Sequence, residues 1–184
     1  MAFPNYFRSQ AQKETSREKG SCWLLGVKMS EEDFITEHRK IIWFTYKTKL
    51  QINSQVHTDA GWGCLLRVTQ MAMAHALTRF FELTNQQVDK NYIITPFLEE
   101  KGSEFKYSLY QLLEKGYHMW RLKPGSWYSM TQASTIIESL HNSNPLKGSE
   151  NLKVKVYNEV INLKEITQMM NLQFCTCPDK RVGC

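Results

Sequence analysis

No stretch of this sequence is apolar over the roughly 20 residues a helix needs to cross a bilayer. The first 20 residues hold no signal-peptide core either. Both absences lead to the expectation of a cytoplasmic protein. There is no block of Lys or Arg. The 23 basic residues behind the net charge of +5 are spread along the whole chain, with few aromatics among them. That pattern describes a solvated surface and argues against nucleic acid as a partner. No internal repeat and no low-complexity run is present. The five cysteines (Cys22, Cys64, Cys175, Cys177, Cys184) are odd in number and unevenly spaced, so free thiols in a reducing compartment explain them better than a disulfide framework. Cys175-Thr176-Cys177 is tighter than common zinc knuckles and no nearby His completes a set of four, so no metal site and no cofactor are expected.

What is present suits one domain of ordinary size or a piece of a larger one: 184 residues, 42% hydrophobic and 22% charged. Residues 1–20 read as a loose tail, with structure beginning at Cys22-Trp23-Leu24-Leu25-Gly26. Ser30 followed by Asp33 marks a helix start, and Phe34, Ile35, His38, Ile41 and Ile42 follow at helical spacing. From Cys64 to Phe81 there is no Gly or Pro, and apolar residues cover most faces, as in a helix buried mid-fold. A further helix is expected over 103–116 with Phe105, Leu109, Leu112 and Leu113 inward and Gly116 as its stop. Ala133, Ile136, Ile137 and Leu140 give another, ended by Asn142-Ser143-Asn144-Pro145. Leu152-Lys153-Val154-Lys155-Val156 alternates like a half-buried strand. Asn162 and Glu165 would cap a final helix carrying Ile166, Met169 and Met170. A lone strand at the end of a helical chain has nothing to pair with, so the sequence reads as though it stops mid-fold.

Gly61-Trp62-Gly63-Cys64 carries the chemistry. The glycines let the backbone turn sharply and approach a substrate closely. The thiol then opens a long helix, where free backbone N–H groups and the positive end of the dipole favour a thiolate. The residues alone leave two readings open, an activated nucleophile or a buried structural cysteine. Arg67 and Gln70, on the same helix, read as its polar face.

Thr58-Asp59-Ala60-Gly61-Trp62-Gly63-Cys64-Leu65-Leu66-Arg67, followed by Gln70-Met71, closely resembles the nucleophile motif of the autophagins, the autophagy-related protein 4 cysteine proteases. Trp23-Leu24-Leu25-Gly26 resembles that family's opening segment, Ile42-Trp43-Phe44-Thr45-Tyr46 the segment upstream of the nucleophile, and Trp127-Tyr128 the one downstream. The resemblance runs from about Cys22 to Leu140. It implies a papain-like α+β fold, here an incomplete helix-rich N-terminal portion, with 21–184 as the peptidase domain. It also implies Cys64 as nucleophile, Tyr46 as donor to the oxyanion and Trp127 as cover of the substrate cleft. Aromatic packing remains the alternative for both Tyr46 and Trp127. The implied partner is the ubiquitin-like modifier autophagy-related protein 8, whose C-terminus would be trimmed to a glycine and whose lipid conjugate would be released.

The chain departs from the family's pattern in three places. The Asp-Pro-His that supplies base and orienting acid is absent. Ser129-Met130-Thr131 stands where Gly-Pro-Asn usually follows Trp-Tyr, and Arg67-Val68-Thr69-Gln70 replaces Arg-Cys-Gly-Gln. His75, 11 residues along the helix from Cys64, would lie roughly 16 Å away along its axis. His57 reaches the thiol only if the polar segment before the turn folds back, and His118 and His141 have no assigned place. Three readings follow: a thiol endopeptidase, an incomplete homologue that binds the modifier without cutting it, or a truncated product.

Overall fold

The computed structural model describes residues 20–169 except 54, 159 and 162. They divide into a small N-terminal unit ending at Ile42 and a larger unit starting at Trp43. The architecture is α+β and helix-rich.

The small unit opens with an antiparallel hairpin, β1 (Cys22–Leu24) and β2 (Val27–Met29), in which Cys22 faces Met29 and Leu24 faces Val27. Leu25 and Gly26 form the connection with φ of 50° and 84°. Positive φ at both central residues is the turn that matches strand twist, and only the glycine adopts it without strain. The sequence therefore placed its strands wrongly: they lie at this end of the chain, each too short to show alternation. Helix α1 (Glu31–His38) starts as expected, with the Ser30 hydroxyl accepting the Asp33 N–H at 3.1 Å. It ends before Ile41 and Ile42.

The larger unit is built on α2 (Cys64–Leu83). Leu66, Gln70, Met73, Ala74, Leu77 and Phe81 recur at three- and four-residue steps and are all buried. Burying each large apolar side chain stabilises by about 1.5–3 kcal/mol. Against α2 lie α3 (Lys90–Ile94) and α5 (Met130–Ser143), and α5 also packs on α4 (Leu109–Trp120). A 3-10 turn, Thr95–Phe97, inserts Phe97, whose ring meets Phe44 at 5.0 Å and Tyr107 at 5.1 Å between centroids.

Helix α4 begins six residues later than its apolar spacing suggests, at Leu109 rather than Ser103. Phe105 is buried from a turn, and Tyr107 is held by its N–H on the Pro96 carbonyl at 2.8 Å. Gly116 does not stop the helix. It sits inside α4, where a Cβ would lie 2.6 Å from Tyr128 Oη, and Arg121 in the left-handed region ends the helix instead. Helix α5 is as expected, begun by a capping box between Ser129 and Gln132.

Residues 152–156 keep the alternating burial of a strand but form none. The Asn142 amide takes the place of a partner strand. It donates to the Val154 carbonyl at 2.7 Å and accepts the Val154 N–H at 3.2 Å. Helix α6 (Leu163–Met169) carries Ile166 and Met169. Its expected cap Asn162, together with Met170, Cys175, Cys177 and Cys184, lies outside the described residues.

Candidate functional site

Cys64 is the first residue of α2 and is half-buried. The turn before it is tied to its own start: the Gly63 and Trp62 N–H groups both donate to the Asp59 carbonyl, at 2.8 and 3.4 Å. The Trp62 indole, itself buried, donates to the Thr58 carbonyl at 2.9 Å. Gly61 has φ of 90°. At Gly63 the constraint is space, since a Cβ there would sit 2.8 Å from Asp59 Cβ and 2.9 Å from its carbonyl oxygen. Both glycines are thus explained by geometry: one by its dihedral, the other by close approach.

Asp59 is fully buried and has both carboxylate oxygens occupied. Oδ1 accepts the Lys47 N–H and Oδ2 accepts Arg67 Nε, each at 2.6 Å. Arg67 Nη1 also donates to Gln70 Oε1 at 3.0 Å and to Glu99, whose other oxygen accepts the Leu109 N–H at 2.8 Å. Gln70 in turn donates to the Tyr107 carbonyl at 2.7 Å. Burial works against the Arg67 charge, but Asp59 and Glu99 outweigh it and hold the guanidinium above its ordinary pKa. Nη2 is buried without a hydrogen-bond partner. Arg67 and Gln70 are therefore not a solvated polar face. Two carboxylates share one guanidinium, and the N-termini of α2 and α4 beside them offset the surplus negative charge. The sequence did hold a signal for this: an arginine directly after Leu65-Leu66, with a glutamine one turn on, in the otherwise largely apolar first half of the helix.

Tyr46 immediately precedes Lys47, so its backbone is tied to the same aspartate. A Thr48–Thr58 bridge and the Thr58 hydroxyl on the Lys47 carbonyl at 2.7 Å add to that tie. Its ring is 48% exposed, and Trp127 is 72% exposed, so neither is a core packing residue. Trp127 is fixed by its neighbours: Tyr128 is buried against Gly116, and Ser129 caps α5. Burial pushes the Tyr128 hydroxyl up to about 12. Among the described residues no hydrogen bond or ring contact joins Tyr46 or Trp127 to Cys64.

His141 now has a place. It is fully buried, with Nε2 2.9 Å from the Leu152 carbonyl and Nδ1 2.7 Å from Tyr107 Oη. A carbonyl only accepts, so Nε2 carries the proton and Tyr107 donates to Nδ1. Burial lowers the His141 pKa and keeps the ring neutral. His57 and His118 are exposed and His75 is half-buried on α2. No histidine ring of this unit is hydrogen-bonded to Cys64 among the described residues. An open cleft of about 640 Å³ in the small unit, lined by Gly20, Lys28, Glu31 and Glu32 among others, contains none of the candidate residues. Among the described residues no three His, Cys, Asp or Glu side chains are grouped to hold a metal ion, and no helix is long and apolar enough to cross a membrane.

Over residues 31–181 the chain matches the model of the Peptidase C54 catalytic domain. It is 26% identical over 129 residues to the "Probable cysteine protease atg4" of Schizosaccharomyces pombe, an overlap of 67% of this chain and 38% of that protein. It is 30% identical over 131 residues to cysteine protease ATG4B of Xenopus laevis (64% and 33%), and 26% identical over 136 residues to that of Gallus gallus (66% and 34%). The chain thus spans about a third of the length of these curated relatives.

Proposed function

Because the chain belongs to the Peptidase C54 catalytic domain family, we propose that it is the nucleophile-bearing part of a papain-like thiol endopeptidase in which Cys64 attacks a peptide carbonyl. The observation that carries this is a half-buried thiol at the first residue of a 20-residue helix, behind a turn too tight for any residue but glycine at 63. Backbone N–H groups at such a helix start are donors available to negative charge that forms there. The substrate is the ubiquitin-like modifier autophagy-related protein 8, cut after a C-terminal glycine, and its phosphatidylethanolamine conjugate, so the protein acts in the cytoplasm and meets membranes transiently. Tyr46 donates to the oxyanion that forms as the thiolate adds, and Trp127 covers the cleft that admits the narrow glycine tail. The peptidase domain begins at residue 21. Collapse of the tetrahedral intermediate expels an amine that needs a proton, a step worth ~10²–10⁴-fold. Among the described residues no histidine of the larger unit is hydrogen-bonded to Cys64, which favours a second reading: the chain holds the modifier but turns it over poorly.

The test uses the modifier carrying a C-terminal electrophile in place of the scissile bond. Such a probe reports the nucleophile and the cleft without requiring a base. The expected result is a covalent adduct mapping to Cys64, absent in Cys64→Ala and slowed in Trp127→Ala. No adduct, or one on Cys22, overturns the proposal.

A further inference from the structure

Asp59 has no part in the chemistry above, yet the segments that chemistry needs meet on it. A buried carboxylate is destabilising unless both oxygens are paired. A single helix fastening would satisfy that requirement. Here each acceptor of one residue holds a different piece. Oδ1 holds the Lys47 N–H next to Tyr46, Oδ2 holds Arg67 in the first turn of α2, and the backbone carbonyl holds Gly63 directly before Cys64. The Gly63 backbone lies against Asp59 so closely that a Cβ would meet its Cβ at 2.8 Å. Glu99 pairs with the same Arg67 but holds the Leu109 N–H at the start of α4. It shares the ion pair without touching the turn.

We propose that Asp59 is a positioning residue for the nucleophile. It locks the Cys64 turn and the Tyr46 segment into one register, so its loss lowers the reactivity of the thiol beyond any loss of stability. This rests on the reading of Cys64 as nucleophile. The Asp59–Arg67 bond is charge-assisted, and Asp59→Asn removes that while keeping an acceptor oxygen for Lys47. Glu99→Gln weakens Arg67 from the other side and serves as the control for destabilisation alone.

The full chain and both variants are alkylated with iodoacetamide at neutral pH. The Cys64-to-Cys22 labelling ratio is read by peptide mapping, and the Lys47 amide proton is followed by NMR. Asp59→Asn should lower the ratio about two- to fivefold, the range a misaligned helix terminus forfeits, and should shift the Lys47 amide. Glu99→Gln should lower the melting temperature comparably and leave the ratio and that amide unchanged. A ratio unchanged or raised in Asp59→Asn, or lowered equally by Glu99→Gln, overturns the proposal. Should Asp59→Asn not fold, Lys47→Pro removes the N–H that Oδ1 accepts and leaves the Asp59–Arg67 ion pair in place. It must lower the ratio too, and an unchanged ratio there is equally fatal. No modifier enters this assay. The expected fall of the ratio in Asp59→Asn together with failed probe labelling therefore sinks the proposed function and leaves Asp59, whereas probe labelling of Cys64 with an unchanged ratio sinks Asp59 alone.

Discussion

Two buried polar clusters hold the larger unit together, and they are built from opposite materials. Behind the cysteine, Asp59, Arg67, Glu99 and Gln70 form an ionic cluster that joins the turn, α2 and the start of α4. Around His141 of α5, the Tyr107 hydroxyl and the Leu152 carbonyl form a neutral chain that fastens an extended segment without a strand partner among the described residues. Charge-assisted bonds are shorter and roughly twice as strong as neutral ones. The ionic cluster stands where a loop must be fixed against a helix terminus, and the neutral one where a segment need only be retained. The difference teaches where this chain requires geometry and where it requires only attachment.

That contrast breaks most sharply at Arg67. Arg67→Ala takes the shared cation from the buried Asp59 and the half-buried Glu99, and the expected destabilisation is about 3–5 kcal/mol, measured by urea denaturation. The neutral cluster should tolerate more. Tyr107→Phe removes the donor to His141 Nδ1 and should lose about 1–2 kcal/mol in the same experiment. Equal losses at the two positions would erase the distinction.

Acidification tests the neutral cluster through His141. His141 is neutral when folded because burial lowers its pKa, whereas the unfolded chain takes up a proton near pH 6.5. Its contribution to stability is therefore complete above about pH 6.5 and is lost as pH falls below it, at no more than ~1.4 kcal/mol per pH unit. His141→Gln should flatten that limb of a stability–pH curve. A curve unchanged by the substitution would mean that the ring is protonated in the fold. The smallest effect is expected at Asn142→Ala, which removes two exposed bonds to Val154. About 0.5–1 kcal/mol should be lost, with amide exchange at Val154 quickened and the ionic cluster untouched.

Much of this was legible in the sequence where one local rule decided the outcome. Ser30 and Asp33 announced α1, a run free of Gly and Pro announced α2, and Gly61-Trp62-Gly63-Cys64 announced a cysteine at a helix start. Misreadings arose where tertiary contacts overrode the local pattern. Arg67 and Gln70 looked like a solvated face because their partners Asp59 and Glu99 are 8 and 32 residues away in sequence. Gly116 looked like a stop because the aromatic ring it admits comes from Tyr128. Residues 152–156 kept a strand's alternation because an asparagine side chain can imitate one rung of a ladder. At the site itself, the cysteine and its glycines were legible, and the carboxylate that orders them was not.

The proposed function rests on Cys64 as an ordered nucleophile with no histidine of the larger unit hydrogen-bonded to it among the described residues. The most direct measurement is turnover of the full-length modifier precursor by the chain alone, followed by mass spectrometry beside Cys64→Ser. A working thiol site that lacks its base typically loses ~10⁶ in turnover. The account therefore predicts a rate close to that of the Cys64→Ser control. Rapid cleavage after the glycine, abolished by Cys64→Ser and by substitution of His57, His75 or His118, would contradict it.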